Sequence, residues 1–144
     1  MASKCDAPCG HADANQRSVL LSTACLFDSE EHKLDDVYYL GSIDLVDSMS
    51  LYRRIDAQAG IGRVGPTVFA AGFDSQYVIV KRHPSGDRSK VEYFLLDRNK
   101  DDSPGRDPTA SVSGPFTEKE FAVARARAKV DTSLQFTLVL RKLQ

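Results

Sequence analysis

Cysteines, histidines, serines, glycine-rich turns and paired carboxylates are the side chains and motifs from which a site for chemistry would be built. The three cysteines, Cys5, Cys9 and Cys25, all fall in the first quarter of the chain. An odd count allows one internal disulfide at most and leaves a thiol over. Cys5-x-x-x-Cys9-x-His11 has a metal-like look, but a fourth ligand has no source except Cys25, so incidental thiols in a leader are the better reading. His83 follows an apolar run and precedes Pro84, which suits a turn-capping role better than a general base. His32 lies in the acidic stretch from Asp28 to Asp36 and reads as solvated. Gly-x-Ser-x-Gly is absent. The glycines of Gly60-Ile-Gly62-Arg-Val-Gly65 lack the spacing of a phosphate loop. The pairs Asp35/Asp36 and Asp101/Asp102 fall where charge is ordinarily solvated. The expectation is a protein with no catalytic residues, no metal and no cofactor.

Charge placement is more informative. Asp28, Glu30, Glu31, Asp35, Asp36, Asp44 and Asp47 make residues 28–47 acidic. Arg53, Arg54, Arg63, Lys81, Arg82, Arg88 and Lys90 make the middle of the chain basic. Two charged faces suit recognition of a protein partner, because complementary fields steer encounter. The candidate contact residues are Arg53, Arg54, Lys81 and Arg82 on one side, and Glu30, Glu31, Asp35 and Asp36 on the other. The competing reading is self-complementation, with Asp44 and Asp47 meeting Arg53 and Arg54 across a hairpin. Nucleic acid is not an expected partner, since stacking aromatics do not interleave with the basic residues.

These residues need a scaffold, and the composition describes an ordinary one. The 144 residues are 42% hydrophobic and 27% charged, with a formal net charge of −1. That length fits one domain able to bury a core without metal or disulfide staples, and the charge balance implies no polyanion partner. No apolar run approaches the ~20 residues that cross a bilayer. Residues 1–27 read as a leader and 28–144 as a single β-rich domain. Within the leader, the short apolar run from Ser18 to Ala24 ends in small residues before Cys25. Two readings stand: a lipoprotein signal with Cys25 as lipidation site, or an apolar helix or strand that packs on the sheet.

From residue 37 the pattern is that of strands. Val37–Val46 and Ser50–Ile55 are rich in aromatic and β-branched residues. Ala57–Gly65 carries three glycines and reads as a loop. Thr67–Phe73 and Tyr77–Arg82 are separated by Asp74-Ser75-Gln76, a connection short enough to require an antiparallel hairpin. His83–Arg88 is a turn region, Val91–Leu96 a further strand, and Asn99–Ser113 a mobile surface loop. Thr117 and Glu120 stand at capping-box spacing, flanked by Phe116 and Phe121 at staple positions. A helix follows, with Phe121, Ala124 and Ala128 as a narrow apolar stripe, and Leu134–Leu140 alternates as a closing strand. The fold class expected is α+β: a mainly antiparallel β-sheet meander with one C-terminal helix and a closing strand. Phe69, Phe73, Val78, Val80, Phe94 and Phe121 are expected to share one core.

The succession Val37-Tyr-Tyr-Leu40, Tyr52-Arg-Arg-Ile55, Val68-Phe-Ala-Ala-Gly-Phe73, Tyr77–Pro84, Tyr93-Phe-Leu-Leu96, Gly114–Phe121 and Leu134-Gln-Phe136 resembles a family of small bacterial proteins of unknown function, many with lipoprotein signals. The resemblance covers residues 37–140. It brings no catalytic residues, and it implies that Cys25 is, or was, a lipidation site. Two functions are therefore expected. The first is a non-enzymatic bacterial inhibitor or immunity protein that binds and occludes a toxin or enzyme. The alternative is an envelope-associated accessory lipoprotein binding a peptide, glycan or assembly subunit, in contact with membrane only through a lipid anchor. The expected location is the bacterial envelope or periplasm, with the cytoplasm as the alternative.

Overall fold

The computed structural model describes residues 29–144. The proposed leader boundary, His11 and the three cysteines lie outside the described residues. Among the described residues, nine strands form two antiparallel sheets: β1 (Glu30–Lys33), β2 (Tyr38–Ser42), β3 (Ser50–Arg54), β4 (Gly60–Val64), β5 (Val68–Phe73), β6 (Tyr77–Arg82), β7 (Glu92–Asp97), β8 (Val112–Phe116) and β9 (Leu138–Val139). The first sheet has the order β1-β2-β3-β4 and the second β8-β7-β6-β5-β9. One helix, α1 (Glu118–Ala128), follows β8. The expected class holds: the described residues are mainly antiparallel β with a single α-helix near the C-terminus and a short strand after it.

The apolar pattern explains a three-layer stack. Tyr38, Leu40, Met49, Leu51 and Val64 of the first sheet pack with Val68, Val78, Val80, Phe94 and Leu96 of the second, closed by Leu140 and Leu143. On the second sheet's other face, Ile79 and Leu95 pack with Phe121 of α1 and with Val130 and Leu134 beyond it. Successive residues of a strand point to opposite faces, so β6 and β7 serve both cores and read as unbroken apolar runs. The single core expected from sequence is thus two. Phe121 belongs to the helix side, away from Phe69 and Phe94, and Phe73 is 39% exposed at the end of β5.

Local signals set the boundaries. Asp74 Oδ1 accepts from the N–H groups of Gln76 (2.8 Å) and Tyr77 (2.7 Å), closing the β5–β6 hairpin as an Asx turn. The capping box forms in full: Glu120 N–H donates to Thr117 Oγ1 (3.2 Å), and Thr117 N–H to Glu120 Oε1 (2.9 Å). The helix ends at Lys129, whose φ of 57° is left-handed, and Tyr77 Oη donates to the Ala128 carbonyl (3.1 Å).

Three expectations are corrected. Gly60–Val64 is a strand rather than a loop: it pairs with β3, and Gly60 lies beneath the Tyr39 ring, where a Cβ would come within 2.2 Å of the hydroxyl. The closing strand shrinks to Leu138–Val139, since the backbone at Gln135 and Phe136 crosses over Gly72 instead of pairing. The loop from Asn99 is pinned rather than free, through a buried carboxylate.

Candidate functional site

That carboxylate is Asp101, which is 1% exposed. It accepts from Tyr38 Oη (2.7 Å), Arg63 Nε (3.0 Å) and Arg63 Nη2 (2.9 Å). Arg63 reaches inward because the β3–β4 register shifts between Leu51 and Tyr52, and the bulge turns both Arg63 and Val64 to the core side. Its remaining donors go to the carbonyls of Gly62, Ser103 and Pro104. Arg53 Nη1 donates to the Asp101 carbonyl (2.5 Å), and its buried Nε has no partner among the described residues. Arg98 lies over the Tyr38 ring and pairs with Asp35 (2.7 Å). Burial and the Asp101 charge push the Tyr38 hydroxyl up to about 12. Burial raises the Asp35 carboxyl, but the Tyr38 and Val37 N–H groups and Arg98 outweigh it and hold the group below its usual range. Asp101 is a tie between layers, not a solvated charge, and its lone pairs are already taken up within the fold.

The sequence-predicted contact residues are mostly engaged with partners inside the fold, though Asp36 stays exposed. Arg54 pairs with Glu31 over the Tyr39 ring, joining the two charge clusters to each other. Arg82 pairs with Glu92 (2.8 Å), Asp36 with Lys33 (2.9 Å), and Glu30 with Lys142 and His32. Lys81 sits over the rings of Tyr93 and Phe136. Alternation along β6 sends Lys81 to the helix side and Arg82, over Phe94, to the other. The four basic residues therefore do not form one face. Asp47 pairs with Arg88 (3.0 Å) rather than with Arg53 or Arg54. His83 does hold a turn: its Nδ1–H donates to the Lys90 carbonyl (2.7 Å), while its ring stacks on Phe69.

A different surface stands out, at the β2–β3 connection. Ile43 is 65% exposed and Leu45 69%, the two most exposed large apolar side chains among the described residues. Between them Asp44 has a φ of 71°, and Leu45 N–H donates to the Ile43 carbonyl (2.8 Å). That bond closes a γ-turn of the rare positive-φ kind, a strained conformation for a residue with a Cβ. The Ser48 hydroxyl holds the turn from inside: it accepts from Ile43 N–H (3.1 Å) and faces the carbonyls of Ile43 (2.9 Å) and Leu45 (2.6 Å). Arg88 braces the base by spanning Asp47 and the Lys142 carbonyl. The loop is thus a fixed display of two apolar side chains, flanked by Asp44, Asp47, Arg88 and Lys142. Sequence reading absorbed Ile43 and Leu45 into a strand over Val37–Val46, and the one polar residue between them, Asp44, gave no sign of the turn. A second apolar hollow, of about 570 Å³, lies between α1 and β8 over Leu95, Phe116 and Val123.

Among the described residues, no group of three or more His, Cys, Asp or Glu side chains gathers as a metal-ligand set. No helix among them is long and apolar enough to cross a membrane. No curated protein and no solved structure matches the chain. Residues 38–142, which take in every strand but β1, the Asp101 tie, the β2–β3 loop and the helix, match the profile described as "Protein of unknown function (DUF3997)", and the chain belongs to that family.

Proposed function

We propose that this protein is a non-catalytic binding protein that occludes a protein partner, as a bacterial inhibitor or immunity protein does. The observation that carries the reading is the β2–β3 loop, in which a strained turn and the bridging Ser48 hydroxyl hold Ile43 and Leu45 in solvent. An apolar centre with a charged rim is the anatomy of a protein interface. Preorganisation lowers the entropy lost on binding. The internal pairing of Arg54, Arg82, Glu31 and Asp35 shifts the expected contact away from the charge clusters and onto this loop.

Calorimetry against the purified products of flanking genes, at two salt concentrations, tests the reading. An apolar centre predicts an affinity that changes little with salt, whereas docking through Arg53, Arg54, Lys81 and Arg82 predicts a steep loss. A steep loss, abolished by charge reversal at those four residues, would refute the loop as the contact.

One observation favours a second reading, an envelope-anchored accessory protein. Glu30 pairs with Ser42, so the chain enters the first sheet beside Ile43. A lipid on Cys25 would hold this same loop close to a bilayer. Flotation of the lipidated chain with vesicles, compared with its Cys25→Ser variant, tests that reading; equal flotation would refute it.

A further inference from the structure

Every open sheet must protect its edges, because unpaired backbone N–H and C=O groups invite another strand. Three of the four edges here are blunted. β1 carries Glu30, Glu31 and Lys33, β8 is interrupted by Pro115 and a register shift, and β9 is two residues long. The edge at β4 is different. The only charged side chain of that strand, Arg63, is buried, and Gly60-Ile61-Gly62 is left uncharged with Ile61 38% exposed.

The backbone directions follow from the ladder. Arg54 N–H donates to the Val37 carbonyl (2.7 Å), so the backbone of Arg54 faces β2 and that of Arg53 faces β4. Ile61, opposite Arg53, therefore bonds inward, while Gly60 and Gly62 turn their N–H and C=O groups away from the sheet. The Gly62 carbonyl also accepts from Arg63 Nη1 (3.2 Å), which leaves it a second lone pair. Gly60 has a packing reason to be glycine, but among the described residues Gly62 has none: a Cβ there meets nothing of them within 4 Å and its φ is not left-handed. A strand glycine marks a bulge or a close approach of another backbone; Gly62 adjoins the Arg63 bulge and also turns a side-chain-free backbone outward, where a second strand can come close.

We propose that the occupant is a second copy of this chain, added antiparallel along Gly60–Gly62 about a two-fold axis at Ile61. The segment reads the same in both directions, so the axis places Gly60 opposite Gly62 of the other copy and Ile61 opposite its equivalent. Each glycine pair then exchanges both of its outward hydrogen bonds, and the two four-stranded sheets become one. Arg63 ties the carbonyls of Ser103 and Pro104 against the second half of β4, which confines the contact to this short stretch. Such a contact buries far less than the ~1,600 Å² of a standard interface, so the dimer is weak and exchanges rapidly. This inference is independent of the occlusion reading and involves the opposite end of the first sheet.

Sedimentation velocity of the full chain over a concentration series tests it. The expected result is a sedimentation coefficient that rises with concentration. Gly62→Pro removes an outward donor and leaves the ladder to β3 intact, so it should weaken association by roughly tenfold or more. Ile61→Lys should act in the same direction and carries the test if Gly62→Pro fails to fold by circular dichroism. Leu45→Lys, on the exposed loop, should leave association unchanged. A chain that stays monomeric throughout overturns the proposal. So does association that survives both β4 substitutions, or that is lost in Leu45→Lys.

Discussion

Replacing Asp101 by alanine leaves Arg63, whose side chain is fully buried, with only neutral carbonyls as partners and Tyr38 Oη without its short acceptor. Removing one member of a buried ion pair costs about 3–5 kcal/mol, chiefly because the surviving charge stays desolvated. A domain of this size has ~5–15 kcal/mol in all, so the loss takes about a fifth of the stability or more. Arg63→Met should be costly for the mirror-image reason, since it leaves a carboxylate with Tyr38 Oη and a more distant Arg53 Nη1 (3.8 Å). The double variant Asp101→Leu/Arg63→Met removes both charges and should cost clearly less than the two single changes added together. Urea unfolding of the four proteins supplies the cycle, provided the slopes agree. An Asp101→Ala cost under ~1 kcal/mol, or strict additivity in the cycle, would show that the tie between the Asn99–Ser111 loop and the first sheet contributes little.

Three further outcomes follow from local geometry. Gly72→Ala places a Cβ 1.9 Å from the Gln135 carbonyl oxygen, a backbone atom that cannot swing aside, and should lower stability by ~1–3 kcal/mol in thermal melts. No change in the midpoint would mean that the Gln135 crossing is not that close. Asp44→Gly relieves the left-handed φ and should raise stability by up to ~1 kcal/mol while Asp44→Val lowers it; the reverse order in urea titrations would discount the γ-turn. The Tyr38 hydroxyl, pushed up to about 12, keeps its proton in the folded state over a range where the unfolded chain has lost it. Stability from this group is therefore complete below pH ~10 and declines by ~1.4 kcal/mol per unit as pH rises toward about 12. Tyr38→Phe should flatten that part of the profile, and an unchanged alkaline slope would contradict the assignment.

Much of the scaffold was legible because its signals are local. The Asp74–Gln76 connection dictated a hairpin, and Thr117 with Glu120 dictated the start of the helix. The unbroken runs at Tyr77–Val80 and Phe94–Leu96 announced strands, though not that each faces two cores. What was hidden depends on distant partners. Arg63 and Asp101 are 38 residues apart in the chain, one in a glycine-rich stretch and the other in a polar one, so nothing nearby marks them as a buried pair. Glycines at 60 and 62 argued for a loop because their value to the strand lies in the Tyr39 ring two strands away and in an edge that sequence cannot display. The acidic and basic clusters were visible as composition, but their mutual pairing through Glu31 and Arg54 emerges only once β1, β2 and β3 lie side by side.

The most direct test of the occlusion reading is the affinity of the Ile43→Ser/Leu45→Ser variant for a partner that the natural chain binds. Both side chains are already in solvent, so the substitutions should leave the thermal midpoint within a few degrees. If the loop is the centre of the interface, each truncation removes ~1–3 kcal/mol of binding, and the double variant should bind at least tenfold more weakly, mostly through faster dissociation. An affinity unchanged by the double substitution, in a variant shown to be folded, would contradict the assignment of this loop as the contact surface.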